Sequence, residues 1–218
     1  MSEYLAILTP EEFAAFELCG RRRRFRRGEA LFSEGDRSDW VAALISGRVK
    51  VSSFTELGTE VVLAILEPGA LLGELSALDE QPRSATVSAL EPVEALAVPV
   101  AEFTRFLETY PRAAYQLLRL LSGRLRDADR KRIEFGSHDT LGRVARRLME
   151  LAERFGEPVT RGVRISIPLS QQELAGWAGS SREAVAKALR TMRDRGWIET
   201  RRREITVTDL DALRRRAR

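Results

Sequence analysis

The sequence predicts an α+β protein: a β-rich N-terminal body, one long helix, and a small C-terminal body of helices with a hairpin. Three observations predict it. Turn signals recur about every ten residues between Phe25 and Val100. A helical period runs on after Pro111, and two short capped helices followed by a hairpin pattern lie beyond Ser170. The 218 residues suit one large or two modest domains, each with its own core.

Thr9-Pro10-Glu11-Glu12 opens a short helix with Pro10 at the first helical position, where a missing N–H has no helical partner to lose. Gly28, Gly35-Asp36, Ser46-Gly47, Leu57-Gly58, Pro68-Gly69 and Gln81-Pro82 then mark turns at the spacing of a β-sandwich or barrel. Between them, 40–45, 49–51 and 61–66 are strands by β-branched content and alternation.

Within this body, Gly73-Glu74-Leu75-Ser76-Ala77-Leu78-Asp79-Glu80-Gln81-Pro82-Arg83-Ser84-Ala85-Thr86 places a glycine–acid pair, an apolar helical turn and an Arg-Ser pair in sequence. That order suits a cyclic phosphodiester and its ribose. A carboxylate accepts from a ribose hydroxyl but repels a phosphate, whereas a guanidinium offers phosphate oxygens a fixed fork of donors. Backbone N–H groups at the short helix start, beside Ser84 and Ala85, add donors for an anion.

After Pro111, Ala114, Leu118, Leu121, Leu125, Ala128, Arg132 and Phe135 follow alternating steps of four and three, the a/d seam of a coiled coil. The helix has charged flanks and no large body of its own to pack on. It is expected to pair in parallel with a second copy, mainly through Leu118, Leu121 and Leu125. The alternative is a single amphipathic helix lying on its own β-rich body. Gly136-Ser137-His138-Asp139-Thr140 breaks the helix as a hinge, and Asp139 or Thr140 caps the next one. That helix carries Leu141, Val144, Ala145, Leu148, Leu151 and Ala152 on one face. Gly156-Glu157-Pro158 ends it, and 163–167 is a short strand.

Ser170-Gln171-Gln172-Glu173 and Ser180-Ser181-Arg182-Glu183 both read as capping boxes. They open two short helices separated by Trp177-Ala178-Gly179, with the glycine at the tight turn of a helix-turn-helix. Val185, Ala188, Leu189 and Met192 form the buried face of the second helix. Arg182, Glu183, Ala186, Lys187 and Arg190 form the opposite face, which in this motif enters the major groove. Arg182 suits a guanine edge and Glu183 a cytosine amino group, while Lys187 and Arg190 reach a base or a phosphate. Ser170, Gln171, Gln172 and Ser181 complete the expected DNA contacts, with Gln172 and Ser181 suited to the backbone. Gly196 ends the helix. Residues 197–200 and 204–207 form a hairpin tipped by Arg201-Arg202-Arg203, with Arg202 as a further DNA contact, so the motif is winged.

The charge divides along the chain. From His138 onward there are 18 basic and 11 acidic residues, net +7, while 1–137 hold 18 basic and 21 acidic, net −3. Such polarity fits one segment that meets a polyanion and another that does not. The single cysteine, Cys19, excludes an intrachain disulfide framework, and with one histidine, His138, no metal site is expected. Cys19 is read as a small apolar residue of the N-terminal helix. No apolar run approaches the ~20 residues of a membrane span, and no basic n-region precedes an apolar stretch, so a cytoplasmic protein is expected. There is no Walker loop, His-Glu-x-x-His or Gly-x-Ser-x-Gly, so no enzyme is expected.

Phe32-Ser33-Glu34-Gly35-Asp36, Ile45-Ser46-Gly47, Gly73-Glu74-Leu75, Pro82-Arg83-Ser84-Ala85-Thr86 and Ser181-Arg182-Glu183-Ala184-Val185 together resemble the landmarks of the cyclic-AMP receptor protein (Crp/Fnr) family. The resemblance covers nearly the whole chain. It implies a cyclic-nucleotide-binding β-roll at 1–110, a dimerisation helix at 111–137 and a winged helix-turn-helix at 138–218. It further implies a homodimeric transcription regulator on palindromic double-stranded DNA, with RNA polymerase as a partner and a cyclic nucleotide, cyclic AMP foremost, as effector.

By the same resemblance Glu74 accepts the ribose 2′-hydroxyl, Arg83 and Ser84 hold the phosphate, and Gly73 lets the ligand approach the backbone. Leu63, Ala64 and Leu75 fall in the pocket wall, and Arg124 on the dimer helix reaches towards the ligand. Arg182, Glu183 and Lys187 match the base-reading positions, with lysine replacing the usual arginine. Arg21-Arg22-Arg23-Arg24-Phe25-Arg26-Arg27 becomes a solvated edge strand, a second nucleic-acid contact being the alternative. Cyclic-AMP-responsive members carry a threonine and a small polar residue where this chain has Ala128-Asp129. Ala128 has no side-chain hydrogen bond for the adenine amino group, and Asp129 can only accept from it. The rival expectations are a regulator of a different nucleotide, or a ligand-independent one in which Arg83 pairs internally with Glu74 or Asp79.

Overall fold

The computed structural model describes residues 3–56, 58–165, 170–201 and 204–217, with all their side chains except those of Phe135 and Ser137. They form two units, one running to 53 and over 63–128, the other made of 54–62 and of 129 onward.

In the first unit Thr9 caps α1 (Pro10–Leu18): its hydroxyl accepts from the Glu12 N–H, and the Glu12 carboxylate accepts from the Thr9 N–H. Cys19 follows as the C-cap, half-buried, with its thiol donating to the Ala15 carbonyl. Then come β1 (Arg21–Phe25), β2 (Ala30–Phe32), β3 (Trp40–Ser46), β4 (Val49–Phe54), β5 (Glu60–Leu66), β6 (Leu71–Leu72), the short α2 (Glu74–Asp79), β7 (Thr86–Ala89) and β8 (Val93–Pro99). They build two four-stranded sheets, ordered β1-β8-β3-β6 and β2-β7-β4-β5. Of the turn dipeptides, Leu57 lies outside the described residues.

Strand β3 does not alternate as expected. Val41 and Ala43 join one core with Tyr4, Phe16, Phe103 and Leu117, while Ala42 and Leu44 join a second with Phe32, Val49 and Val87. Both faces are buried, so the strand is a continuous apolar run. The arginine run forms β1 at the end of its sheet order, with Arg22 and Arg24 donating to Glu94 at 2.8 and 3.1 Å. Its exposed cations make the edge a poor template for another strand.

After α3 (Val100–Thr109), α4 (Pro111–Ser137) does find a body to pack on, which corrects the sequence reading. Ala113, Leu117 and Leu120 are buried in the first core, and the Tyr4 hydroxyl donates to the Ala113 carbonyl at 3.3 Å. The outward face carries Tyr115, Leu118, Leu125 and Ile133, with Leu118 and Leu125 exposed by 60% and 64%. Ala114 and Leu121 are half-buried, Leu121 packing against the first core, Arg132 is exposed, and the Phe135 side chain is outside the described residues.

The helix remains helical through Gly136 and Ser137, and the break falls at His138-Asp139. Asp139 is the N-cap of α5 (Thr140–Phe155), accepting from the Gly142 N–H at 2.9 Å, while the Thr140 hydroxyl lies 3.2 Å from Ser180 Oγ. Gly156-Glu157-Pro158 ends α5 and itself forms a strand, β9 (Gly156–Val159), paired with β10 (Gly162–Ile165); Ser166 and Ile167 lie outside the described residues. Two helices follow, α6 (Gln171–Ala178) and α7 (Arg182–Asp194), then β11 (Ile198–Arg201), β12 (Glu204–Val207) and α8 (Leu210–Arg216). The strands make one sheet, β11-β12-β10-β9.

The Gly142 N–H, with Arg216 and Arg143, holds the Asp139 carboxyl below its ordinary value of 3.8. Folding therefore lowers this pKa, so the stabilisation is complete above pH ~4 and fades as pH falls through the folded value. Asp139→Ala is expected to destabilise the protein by about 1 kcal/mol at neutral pH. In thermal unfolding the gap to the native protein should narrow as pH falls below about 4. A gap that stays constant would assign the loss to something other than the cap carboxylate.

Candidate functional site

Some of the sequence-flagged residues fall in two clusters. In the first unit, Gly73 opens α2 in the left-handed region, with φ +75°. A Cβ there would stand 2.3 Å from Arg83 Nη1, so the glycine makes room for a guanidinium. Arg83 is only 4% exposed. Its Nη1 donates to the Gly73 carbonyl at 3.0 Å, its Nη2 donates to the Trp40 carbonyl, and its guanidinium lies 3.8 Å over the Phe32 ring. The Arg83 backbone is pinned as well, donating to the Asp36 carbonyl at 2.8 Å and accepting from the Gly35 N–H at 2.9 Å.

Glu74 is 2% exposed, and its Oε1 lies 2.5 Å from Arg124 Nη1. Arg124 Nη2 donates to the Leu71 carbonyl at 2.9 Å. The carboxylate and guanidinium of the sequence cassette thus face different partners: Glu74 takes Arg124, and Arg83 takes carbonyl groups rather than Glu74 or Asp79. Burial pulls the Arg83 pKa down, opposed by the nearby charges of Asp39, Glu74 and Asp36. The Arg83 hydrogen bonds thus go to neutral carbonyls, and an anion that takes the same donors would make stronger, charge-assisted bonds. Leu63, Leu75 and Ser84 are exposed, Ala64 is half-buried, and Ala128 and Asp129 are exposed on α4.

The second cluster is α7 and its supports. Val185, Ala188, Leu189 and Met192 are buried, each of the larger three contributing about 1.5–3 kcal/mol. Arg182, Glu183, Lys187 and Arg190 are exposed opposite them, and Ala186 is half-buried. Ser170 and Glu173 form the expected capping box of α6, with Ser170, Gln171 and Gln172 exposed at its start. The second box is corrected by one residue. Ser181, not Ser180, is the N-cap and accepts from the Ala184 N–H at 3.2 Å, so Glu183 does not occupy the box position. Glu183's own N–H and the Ser181 hydroxyl hold its carboxyl below the usual range, so at neutral pH it can only accept.

Arg143 ties down the turn before α7. It donates to the carbonyls of His138 at 2.6 Å, Ala178 at 2.8 Å and Gly179 at 3.2 Å, and to Ser180 Oγ at 2.8 Å. Gly179 adopts φ +56°, as the tight turn requires. On the wing side, Arg193 Nη1 donates to Thr200 Oγ1 at 2.9 Å. Arg202 and Arg203 lie outside the described residues.

Sequence reasoning missed Phe32 and Trp40 as partners of Arg83, and Arg143 as the fastening of the turn. Phe32 stood in a recognised landmark, but nothing local says that its ring receives an arginine 51 positions away. Among the described residues no cluster could hold a metal ion, and no helix is long and apolar enough to cross a membrane.

Two family models match the chain, one over each region in which a cluster lies. The family model for a cyclic nucleotide-binding domain matches residues 22–110, and that for a Crp-like helix-turn-helix domain matches 142–216. The chain is 36% identical over 194 residues to a CRP-like cAMP-activated global transcriptional regulator of Mycobacterium tuberculosis, covering 89% of this chain and 87% of the relative. It is 32% identical over 186 residues to a global nitrogen regulator of Nostoc sp., covering 84% and 83%. The solved structure of a c-di-GMP-responsive global regulator of Xanthomonas campestris shares the fold, with TM-score 0.83 at 23% identity over 91% of this chain and 99% of that one.

Proposed function

Because this chain belongs to the Crp/Fnr family of DNA-binding transcription regulators, which are not enzymes, we propose that it acts in the cytoplasm as a homodimer whose DNA binding is gated by a cyclic nucleotide, cyclic AMP foremost. The observation that carries the effector reading is Arg83: a buried guanidinium on neutral partners, next to the acid-bearing turn at Gly73-Glu74. In the bound state Arg83 and Ser84 hold the phosphate and Glu74 the ribose hydroxyl. Gly73, Leu63, Ala64 and Leu75 line the site, and Arg124 answers from α4. Ala128 and Asp129 meet the base. Ala128 offers it no side-chain hydrogen bond, and this favours a second reading in which the effector is a different nucleotide.

The exposed Leu118 and Leu125 stripe supports pairing with a second copy, which would set two recognition helices about one DNA turn apart on a palindromic site. RNA polymerase is the proposed partner at the promoter. Effector binding exchanges the carbonyl partners of Arg83 and the Arg124 partner of Glu74 for ligand oxygens. The change passes along α4 to the break at His138-Asp139 as a shift between pre-existing states.

Footprinting on the preferred site with and without cyclic AMP tests the gate; identical footprints would reject it. Arg182→Ala should relax specificity at one base position and cost about 1–3 kcal/mol. An undiminished footprint from that variant would remove α7 as the reading helix.

A further inference from the structure

Resting on the effector reading above, we propose that Phe32 and Trp40 are positioning residues that park Arg83 in a ligand-free pose, so that an effector phosphate must compete with this parking for the guanidinium. Neutral groups from three segments meet at the one cation. The Gly73 carbonyl takes Nη1 at 3.0 Å, the Trp40 carbonyl takes Nη2, and the Phe32 ring lies 3.8 Å beneath the guanidinium. Trp40 acts twice, because its ring also packs on Phe32 with centroids 4.6 Å apart. Trp40 is itself placed by Phe25, stacked at 6.4 Å, and by Arg23, whose guanidinium lies 5.0 Å from the ring centre. Gly73 completes the berth: a Cβ there would also come within 3.2 Å of Phe32 Cε2.

The berth is adequate without ligand and inferior with it. Carbonyl oxygens and a ring face attract a guanidinium, but less than the charge-assisted fork to a phosphate does. The parked fraction then sets the apparent affinity, since an effector binds only the fraction of molecules in which Arg83 is released. Weakening the ring contact while keeping its shape should therefore tighten effector binding. A purely structural ring would lose stability on such a change and gain no affinity.

The test uses the full-length protein with Phe32 exchanged for trifluorophenylalanine, which drains the negative ring face and nearly preserves its shape. Cyclic AMP titrated by calorimetry should bind about 2- to 10-fold more tightly than to the native protein. In native-sequence protein labelled with fluorotryptophan, the Trp40 fluorine resonance, assigned through Trp40→Phe, should shift when cyclic AMP is added. If cyclic AMP binds but fluorination leaves its affinity unchanged or weaker, or if the Trp40 resonance does not move, parking is overturned and the effector reading stands. If neither protein binds cyclic AMP, cyclic GMP or a cyclic dinucleotide, the effector reading itself falls and parking with it.

Discussion

Arg83→Leu is expected to lower the affinity for cyclic AMP by about a hundredfold or more, and to leave DNA binding indifferent to the effector. Each charge-assisted hydrogen bond to a phosphate is worth about 1.5–3 kcal/mol, and the guanidinium fork supplies two. The same substitution should change stability little. The carbonyls of Gly73 and Trp40 lose their donors, but a guanidinium that is 96% buried no longer has to be kept from water. Calorimetric titration alongside thermal unfolding separates the two effects. Native-like affinity in a folded variant would remove Arg83 from the effector site, and the site would then have to be sought elsewhere.

Glu134→Ala should destabilise the second unit by about 3 kcal/mol. Glu134, near the end of α4, is 7% exposed and lies against two guanidinium groups on α5: Oε1 is 2.5 Å from Arg146 Nε, and Oε2 accepts from Arg147 Nη2. Arg147 is 4% exposed, and its buried Nε finds no acceptor among the described residues. Without Glu134, the carboxylate left to its charge among the described residues is Glu150, at 2.6 Å. Removing both charges, as in Glu134→Leu with Arg147→Met, should recover most of the loss, because an apolar pair carries no desolvation penalty. If thermal unfolding shows the double variant no more stable than Glu134→Ala, the pair is not what fastens α4 to α5 across the His138-Asp139 break.

Much of the fold was legible because its signals are short in range. Thr9 and Ser170 cap their helices through residues three positions on, and Gly179 turns the chain where its own φ permits it. The apolar face of α7 follows from a spacing of three and four, and Val185, Ala188, Leu189 and Met192 are all buried. Where two such signals overlap, the sequence is ambiguous: Ser180 and Ser181 both resemble an N-cap, and only backbone geometry shows that Ser181 is the one. The surroundings of α4 were illegible for a different reason. A sequence shows that a helix has an apolar stripe but not whether a second stripe, here Ala113, Leu117 and Leu120, already has a core to enter.

By itself the sequence determined the strands around 40–45, 49–51 and 61–66, the long helix, the winged helix-turn-helix with its exposed Arg182, Glu183, Lys187 and Arg190, and the presence of an acid and an arginine suited to ribose and phosphate. These rest on spacing, capping and residue chemistry, which a chain carries before it folds. Only the tertiary structure decided which partners those groups take. Glu74 meets Arg124 from 50 positions away, while Arg83 meets Trp40 from 43 and Phe32 from 51. Such contacts depend on how separate strands are brought side by side, and a buried charge accepts whatever acceptor that packing leaves within reach.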